Sequence, residues 1–444
     1  MPENTTHVLL GLDPLWTATA LLLATYAAII SERLNRAIVA LLGAGLMIVL
    51  GLLTQEQAIA GVDFNTLALL IGMMLIVAIA RRSGIFQYVA ILAAQASRAS
   101  PAGCLVLLAV VTAVFSACLD NVTTVLLVAP VTLVICRELK VPPYPFLFSE
   151  IFASNIGGTA TLIGDPPNII IGSAAHLSFM DFVLELTPVC TVVLILTCLA
   201  IHLIWGRKLV ADSASRARVM ALDRNAAITD RVLMRKSLAV IGAVVIAFAA
   251  ARLIHLEAGT IALFGGAILL LLDNIGNAAE RQHERLVETF NEVEWITIFF
   301  FVGLFIVVAG VDHAGLMKLL AERLVAATGG DLKSLGIAIL WASALLSAII
   351  DNIPFVATMI PVIKSMAPEL GGDQAIQPLW WALSLGACFG GNGTLIGASA
   401  NLTVAGIGER AGVPFRFMTY LKIALPLMLM SIVVSHLYLV WRFF

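Results

Sequence analysis

Residues Gly157–Asn168 read GGTATLIGDPPN and residues Gly390–Asn401 read GGNGTLIGASAN, with seven of the twelve aligned positions identical. Both stretches lie between long apolar runs, where a continuous helix would otherwise be expected. Paired glycines destabilise a helix, and the Pro166-Pro167 pair breaks one because proline lacks the backbone donor. The sequence therefore predicts two discontinuous helices. Their unwound backbone is expected at Gly157, Gly158, Gly390 and Gly391.

A second pair of motifs repeats at almost the same spacing. Ser116–Pro130 (SACLDNVTTVLLVAP) aligns with Ser347–Pro361 (SAIIDNIPFVATMIP) at an offset of 231, with six of fifteen positions identical. Val62–Ala90 aligns with Val293–Ala321 at the same offset, and the two predicted breaks lie 233 residues apart. Three blocks at a near-constant offset indicate an internal duplication.

The composition is that of a membrane protein. Hydrophobic residues make up 60% of the chain and charged residues 12%, with a mean hydropathy of +1.01. A soluble domain carries about 25% charged residues. Many apolar runs approach the roughly 20 residues that cross a bilayer. No basic patch suggests a nucleic-acid partner, and no CxxC or HExxH spacing suggests a metal site.

The distribution of basic residues predicts the topology, because Lys and Arg favour the cytoplasmic side. Arg33 and Arg36 follow the first apolar run, and the polar stretch Gly206–Lys236 holds eight basic residues. We expect repeat 1 at residues 1–205, a cytoplasmic linker at 206–236 and repeat 2 at 237–444, with both termini outside. Each half should have five crossings and one re-entrant hairpin, the first at Leu105–Cys136. An odd number of crossings inverts the second half.

The sequence thus predicts an all-α polytopic membrane protein built from two inverted repeats. It should have about ten transmembrane helices and two re-entrant hairpins, and its two discontinuous helices should meet at the midplane. Inverted repeats with broken helices at the midplane are typical of secondary transporters.

The hairpin tips are the first candidate site residues. Asp120-Asn121 and Asp351-Asn352 lie in the middle of the two apolar hairpins. Polar groups at membrane depth are costly unless they line a cavity or are buried in protein. Asp and Asn also cap helix N-termini, and capping stays open as an alternative role for all four. Their repetition favours one shared solute site between two helix N-termini.

The breaks add a second group of candidates. Their side-chain oxygens and amides belong to Thr161, Asn168, Asn392, Thr394 and Asn401. The glycines could instead form packing notches, since small residues let helices approach closely. Asp165 has no symmetry mate, because its counterpart is Ala398. A lone carboxylate at membrane depth is a candidate carrier of a coupling proton or cation, with helix capping as the alternative.

The tip motif SACLDNVTTVLLVAP, together with NIGGTATLIGDPPNIIIG, resembles the ArsB/NhaD group of permeases in the ion transporter superfamily over nearly the whole chain. Members handle arsenite or antimonite, sodium against protons, silicic acid or, more distantly, dicarboxylates. The resemblance implies site roles for both tips and both unwound segments. The dicarboxylate branch has Ser-Asn-Thr tips and Thr at the position of Asp165. Both departures argue against a dicarboxylate substrate.

The resemblance to arsenite efflux permeases implies a proton-coupled secondary transporter that extrudes arsenite or antimonite by alternating access. Arsenite is mostly neutral As(OH)₃ near neutral pH, so amides, hydroxyls and carboxylates could bind it without thiolates. A sodium/proton antiporter is the main alternative, followed by a permease for silicic acid or another anion. A passive channel or an intramembrane enzyme is not favoured. The expected location is the cell inner membrane.

The expected partners are the lipid bilayer and a small inorganic solute, with the proton as coupling ion and no cofactor. No GxxxxGK[ST] loop is present, so any use of ATP would need a separate ATPase subunit. That subunit and a second copy of this chain stay open as protein partners.

Overall fold

The computed structural model describes residues 11–31 and 33–444, and regular structure in these ranges is helical. The first half contains α1 (Pro14–Ile30), α2 (Arg36–Val49), α3 (Gln55–Ala60), α4 (Phe64–Arg81), α5 (Ile85–Ala96), α6 (Pro101–Cys118), α7 (Asn121–Leu139), α8 (Tyr144–Thr159), α9 (Pro166–Ala174) and α10 (Phe179–Ile204). A connecting segment follows, with α11 (Ser213–Met220) between two short 3₁₀ turns.

The second half follows the same order. It contains α12 (Arg231–Ala249), α13 (Ala251–Ile254), α14 (Ala258–Asn274), α15 (Ala279–Asn291), α16 (Trp295–His313), α17 (Leu316–Ala327), α18 (Leu332–Ser347), α19 (Asn352–Leu370), α20 (Gln377–Gly390), α21 (Ser399–Arg410) and α22 (Phe417–Phe443). α12 begins inside the stretch assigned to the linker, because Asp230 caps it with bonds to the N–H groups of Val232 and Leu233. The domain boundaries themselves stay a prediction.

The described helices confirm the all-α polytopic fold class. Eight of them are long and apolar enough to cross a membrane. The count reaches nine when α17 and α18, bent by 118°, are taken as one span. The sequence predicted about ten spans besides the two hairpins, whereas three of these eight helices, α6, α7 and α19, belong to the hairpins. Other candidate crossings are shorter than the 18 residues that the count requires. α1, α2 and α14 reach only 17, 14 and 17 residues.

Both predicted hairpins are present as pairs of long helices. α6 and α7 are joined at Leu119–Asp120, and α18 and α19 at Ala348–Asp351. The first hairpin runs from Pro101 to Leu139 and is longer than the predicted 105–136. Each of its arms is long enough by itself to span the hydrocarbon core. Whether the hairpins are re-entrant therefore stays a prediction.

The two helix breaks lie inside the predicted motifs, but the unwound backbone begins later than expected, because Gly157, Gly158 and Gly390 are still helical and Gly391 lies in a 3₁₀ turn. α8 ends at Thr159 and α9 begins at Pro166. In the second half α20 ends at Gly390, a 3₁₀ turn follows, and α21 begins at Ser399.

The halves exchange one helix each. α14 of the second half packs along α4 of the first, and α2 of the first packs along α16 of the second. Glycine permits both close approaches. A Cβ on Gly72 would lie 2.3 Å from the carbonyl carbon of Ala262, and one on Gly303 would lie 2.5 Å from that of Ala40. These glycines are repeat-related, so the duplication extends to packing. The inversion of the repeats stays a prediction.

The connecting segment lies on one face of the bundle, beside the ends of α4 and α7. The backbone N–H of Thr229 donates to Ser83 O at 3.1 Å, and Arg218 Nε donates to Glu138 at 3.2 Å. On another side of the molecule, Arg442 near the C-terminus pairs with Glu185 at 3.0 Å. The N-terminus is predicted to face the exterior of the cell, and its residues are not among those that the structure describes.

Candidate functional site

The two hairpin tips are built in the same way. Asp120 Oδ1 accepts a hydrogen bond of 2.8 Å from the backbone N–H of Thr123, and Asp351 Oδ1 accepts one of 3.1 Å from that of Ile353. Each aspartate thus caps the returning helix of its hairpin, as the capping alternative suggested. Each also keeps a second carboxylate oxygen, which is available to other partners.

The tips and the first break meet around a small cavity of about 30 Å³. Its polar wall includes Asp120, Asn121, Asp165, Glu294, Thr297 and Asn352. A buried water needs about 10–15 Å³ of such volume, so this cavity holds about two water-sized groups. Four of the predicted site residues therefore line one space: the first tip pair, Asn352 of the second tip, and the unpaired carboxylate of the first break.

Asp165 places an unsatisfied carboxylate oxygen beside this cavity. It is 1% exposed, and its Oδ2 atom has no hydrogen-bond partner among the described residues. It stands at the N-cap position of α9 but makes no side-chain capping bond. An ionised carboxylate without partners is costly in a buried environment. The capping alternative is thus not seen for Asp165, and its counterpart Ala398 also lines the cavity.

The asparagines of the two breaks bind the unwound backbone. Asn168 Nδ2 donates to the carbonyls of Thr159 at 3.0 Å and Thr161 at 2.9 Å. Asn401 Nδ2 donates to those of Gly391 and Thr394, both at 2.8 Å. These bonds satisfy carbonyls that the breaks leave without intrahelical donors.

The threonines and glycines of the breaks contact the hairpins. Thr161 Oγ1 donates to Ala117 O and Thr394 Oγ1 to Ala348 O, both at 2.6 Å. A Cβ on Gly157 would lie 2.1 Å from Ala113 O, and one on Gly390 2.5 Å from Ala344 O, so helix and hairpin touch there. Gly158 and Gly391 pack in the same way against the ends of their own breaks, at Gly164 and Gly397.

Several predicted ligands do not line the cavity in this conformation. They are Thr161, Asn168, Asn392, Thr394, Asn401 and the four glycines. Asp351 lies at the margin, in an adjoining cleft. The role of these residues as solute ligands stays a prediction.

Asn155 connects the two halves and was missed by the sequence analysis. Its Nδ2 donates to Asn392 Oδ1 at 3.0 Å and to Asn401 Oδ1 at 2.9 Å. Its Oδ1 accepts from Asn121 Nδ2 at 3.1 Å. One buried side chain thus links the first tip to the second break. An asparagine inside an apolar run was the available signal.

The counterpart of Asn155, at an offset of 233, is Cys388. Its Sγ donates to Asn168 Oδ1 at 3.6 Å. Asn155 therefore contacts the break of the second half, and Cys388 contacts that of the first, where Ser384 Oγ donates to the same Asn168 Oδ1 at 2.6 Å.

Two further cavity residues, Glu294 and Thr297, were also missed. Thr297 Oγ1 donates to Glu294 Oε2 at 3.1 Å. Their counterparts at an offset of 231, Asp63 and Thr66, make the same bond at 2.6 Å. The aligned acidic position inside the duplicated block could have identified Glu294.

Arg36 corrects the topology argument. It was counted as a flanking basic residue of a cytoplasmic loop, but its Nη1 lies 3.0 Å from Asp351 Oδ2. It also donates to Ser399 Oγ at 2.8 Å. Among the described residues that line the cavity, Arg36 is the one basic group, against Asp120, Asp165 and Glu294. If all of these carboxyls are ionised, the wall is strongly negative.

The described part of the chain contains no group of three or more His, Cys, Asp or Glu side chains placed to hold a metal ion. The cavity wall therefore offers hydrogen bonds and carboxylate charge around a water-sized space.

Apolar spans, capped hairpins and broken helices around a polar cavity define a multi-pass membrane transporter. The sequence of residues 26–386 matches the family described as CitMHS, citrate transporter, and the chain belongs to this family of secondary transporters. The uncharacterized transporter Rv2684 of Mycobacterium tuberculosis is 42% identical over 431 residues, which cover 96% of this chain and 98% of that protein.

Two solved transporters have the same fold. The YdaH transporter of Alcanivorax borkumensis superposes with a TM-score of 0.62 at 16% identity, covering 97% of this chain and 98% of the other. MtrF of Neisseria gonorrhoeae superposes with a TM-score of 0.59 at 11% identity, covering 98% and 96%. The ArsB-like assignment finds no support in these matches, whereas the broader resemblance to ion transporters agrees with them.

Proposed function

We propose that this protein is a proton-coupled secondary transporter that binds a small cation or a small neutral solute between its hairpin tips. Asp165 carries the coupling proton. Asp120, Asn121 and Asn352 bind the solute, and alternating access exposes the cavity to each side in turn.

The observation that supports this proposal is the buried Oδ2 atom of Asp165, which has no hydrogen-bond partner among the described residues, in the wall of the 30 Å³ cavity. A carboxyl in a closed cavity is stable when it is protonated, and it can release the proton when water enters. The cavity residues come from both halves of the chain. Relative movement of the halves would therefore open and close the site.

The charge of the wall favours some solutes over others. Asp351 is already paired with Arg36, so Asp120, Asp165 and Glu294 remain without a basic partner among the residues lining the cavity. A sodium ion or a neutral polyhydroxy solute meets no repulsion there. Arsenite belongs to the second class and stays a candidate on grounds of size and charge, although the family match does not support it.

Citrate is the second candidate, and the family description favours it. A trivalent anion would require the cavity carboxyls to be protonated, and it would also require the cavity to expand. Citrate transport would therefore depend strongly on proton uptake.

The test uses purified protein in liposomes with an imposed pH gradient and an internal pH-sensitive dye. Sodium, arsenite and citrate are added separately, with protein-free liposomes as the control. We expect sodium or arsenite to dissipate the gradient in a protein-dependent way. If citrate alone dissipates the gradient, the transported solute is citrate and the proposed class of small cations and neutral solutes is wrong. Solute uptake without any proton movement would contradict the coupling.

A further inference from the structure

An open cleft leads from the protein surface to the second hairpin tip. It has a volume of about 340 Å³ and is lined mainly by apolar side chains, among them Ile29, Ile349 and Leu402. Its polar residues include Arg36, Asp351 and Ser399. Arg36 and Ser399 also line the 30 Å³ cavity. These two side chains therefore stand between the cleft and the cavity, and we call the cleft the vestibule.

Arg36 is held in this position from several sides. Its Nη1 donates to Asp351 Oδ2 at 3.0 Å and to Ser399 Oγ at 2.8 Å, and Ser399 Oγ donates to Asp351 Oδ2 at 3.2 Å. The guanidinium carbon lies 5.0 Å from the ring centre of Phe300. The contacts come from α16, from the tip before α19 and from the start of α21. Arg36 thus joins three elements at the boundary.

The first half has a corresponding cleft that lacks such a boundary. A cleft of about 380 Å³ is lined by Ile169, which aligns with Leu402, and by Ala258 at the start of α14. Ala258 takes the place of Arg36, since α14 packs on α4 as α2 packs on α16. Asp120 does not line this cleft. Among the described residues, the vestibule thus shares Arg36 and Ser399 with the cavity, whereas the cleft of the first half shares no lining residue with it.

We propose that Arg36, Asp351 and Ser399 form the gate between the vestibule and the cavity, and that a solute or proton opens it by replacing Arg36 on Asp351. Asp351 is then excluded from solute binding while the gate is closed, so the first tip binds first. Arg36 acts as a selectivity residue, because a solute that can neither donate hydrogen bonds to Asp351 nor neutralise its charge leaves the pair intact. The identity of the solute rests on the proposed function, whereas the gate does not.

The exposure of the ion pair suits a gate. The side chains of Arg36 and Asp351 are 28% and 19% exposed, so the pair is not sealed inside the protein. Ion pairs with access to solvent contribute modestly to stability. Such a pair can open without a large cost, whereas a fully buried pair would lock the cavity shut.

The test measures access to the cavity with the cationic thiol reagent MTSET in detergent-solubilised protein. The six native cysteines are first replaced, with serine at position 388 to keep a donor to Asn168. Ala398→Cys then places a thiol in the cavity wall, and Ile349→Cys places one in the vestibule as the control. Adding Arg36→Gln should raise the labelling rate of Ala398→Cys by up to about fivefold, the upper end of the range for loss of one partly exposed ion pair. Labelling of Ile349→Cys should not change.

Two further variants separate gating from misfolding. Arg36→Lys keeps the charge and should restore slow labelling of the cavity. Asp351→Asn keeps the oxygen that caps α19 and should accelerate labelling as Arg36→Gln does. Unchanged labelling of Ala398→Cys in both Arg36→Gln and Asp351→Asn would overturn the gate. If substitution of Arg36 changes the labelling rate of Ala398→Cys but no tested solute moves protons in liposomes, the gate is supported and the proposed function is contradicted.

Discussion

Asparagine side chains organise the centre of this protein because one amide both donates and accepts hydrogen bonds. Asn155 uses both functions, towards Asn121 on one side and towards Asn392 and Asn401 on the other. Asn168 and Asn401 each donate to two backbone carbonyls of their own break. An aspartate at any of these positions could accept but not donate when ionised. The polar network thus keeps the broken backbone satisfied without placing additional charge in the membrane.

The Asn155–Cys388 pair gives the first prediction. Asn155→Ala removes three hydrogen bonds and leaves buried amide groups without partners, each at a cost of about 1–3 kcal/mol. Cys388→Ala removes one weak thiol donor and should cost less than about 1 kcal/mol. In thermal unfolding of the purified protein, the melting temperature should therefore fall strongly for Asn155→Ala and slightly for Cys388→Ala. Cys388→Ser is the matched control and should be close to the parent protein. Equal stability of Asn155→Ala and Cys388→Ser would contradict the network.

The second prediction concerns coupling through Asp165. Asp165→Asn imitates the protonated carboxyl and cannot titrate, so it should abolish uphill, proton-driven transport and retain downhill exchange. Asp120→Asn is the control, because it lines the same cavity and keeps an oxygen to cap α7. That variant should change solute affinity and retain proton coupling. Uphill accumulation and counterflow are measured in the same liposomes. Normal uphill transport by Asp165→Asn would assign the proton to another carboxyl.

At the scale of helices, the duplication is strongest where the backbone departs from a regular helix. Breaks and tips need Gly, Pro, Asp or Asn at particular positions. Such residues therefore recur in both copies, and the sequence predicted where the breaks and tips lie. The exchange of α2 and α14 between the halves has no comparable sequence motif in these two helices. These are short apolar helices whose partners depend on shape, and a periodic apolar pattern does not encode which helix lies opposite. Arg36 was misread for the same reason, since its partner Asp351 is 315 residues away.

The helix exchange gives the third prediction. Gly72→Ala and Gly303→Ala would push a methyl group to within 2.3–2.5 Å of the backbone of α14 and α2, respectively. Overpacking of this kind costs about 1–3 kcal/mol, and backbone neighbours give way less readily than side chains. Gly45→Ala on α2 is the control, since no atom lies within 4 Å of a Cβ placed there. We expect lower melting temperatures for the first two variants and no loss for the third. A neutral effect at both Gly72 and Gly303 would show that the exchanged helices can separate.

At the scale of the whole molecule, contacts among the described residues define two faces of the helix bundle. The connecting segment, the ends of α4 and α7 and the start of α22 share one face, as the ring contact of 4.7 Å between Tyr144 and Phe415 also indicates. The start of α10 lies with α13, through the 2.7 Å ion pair between Asp181 and Arg252. Of the basic residues used to predict topology, those of the connecting segment remain informative. Arg36 no longer counts, because it is bound inside the molecule.

The last prediction is the orientation of these faces in the membrane. The connecting segment should be cytoplasmic, because the stretch Gly206–Lys236, which it shares with the start of α12, concentrates eight basic residues in 31 positions, and basic loops are retained inside. Ser213→Cys on this segment and His255→Cys on the α13–α14 connection are both at exposed positions. In intact cells that express the cysteine-replaced protein, an impermeant thiol reagent should label His255→Cys and leave Ser213→Cys unlabelled. Permeabilised cells should label both, which controls for reactivity. Labelling of Ser213→Cys from outside would reverse the orientation. Labelling of both in intact cells would place the two connections on the same side, which an odd number of crossings between them does not permit.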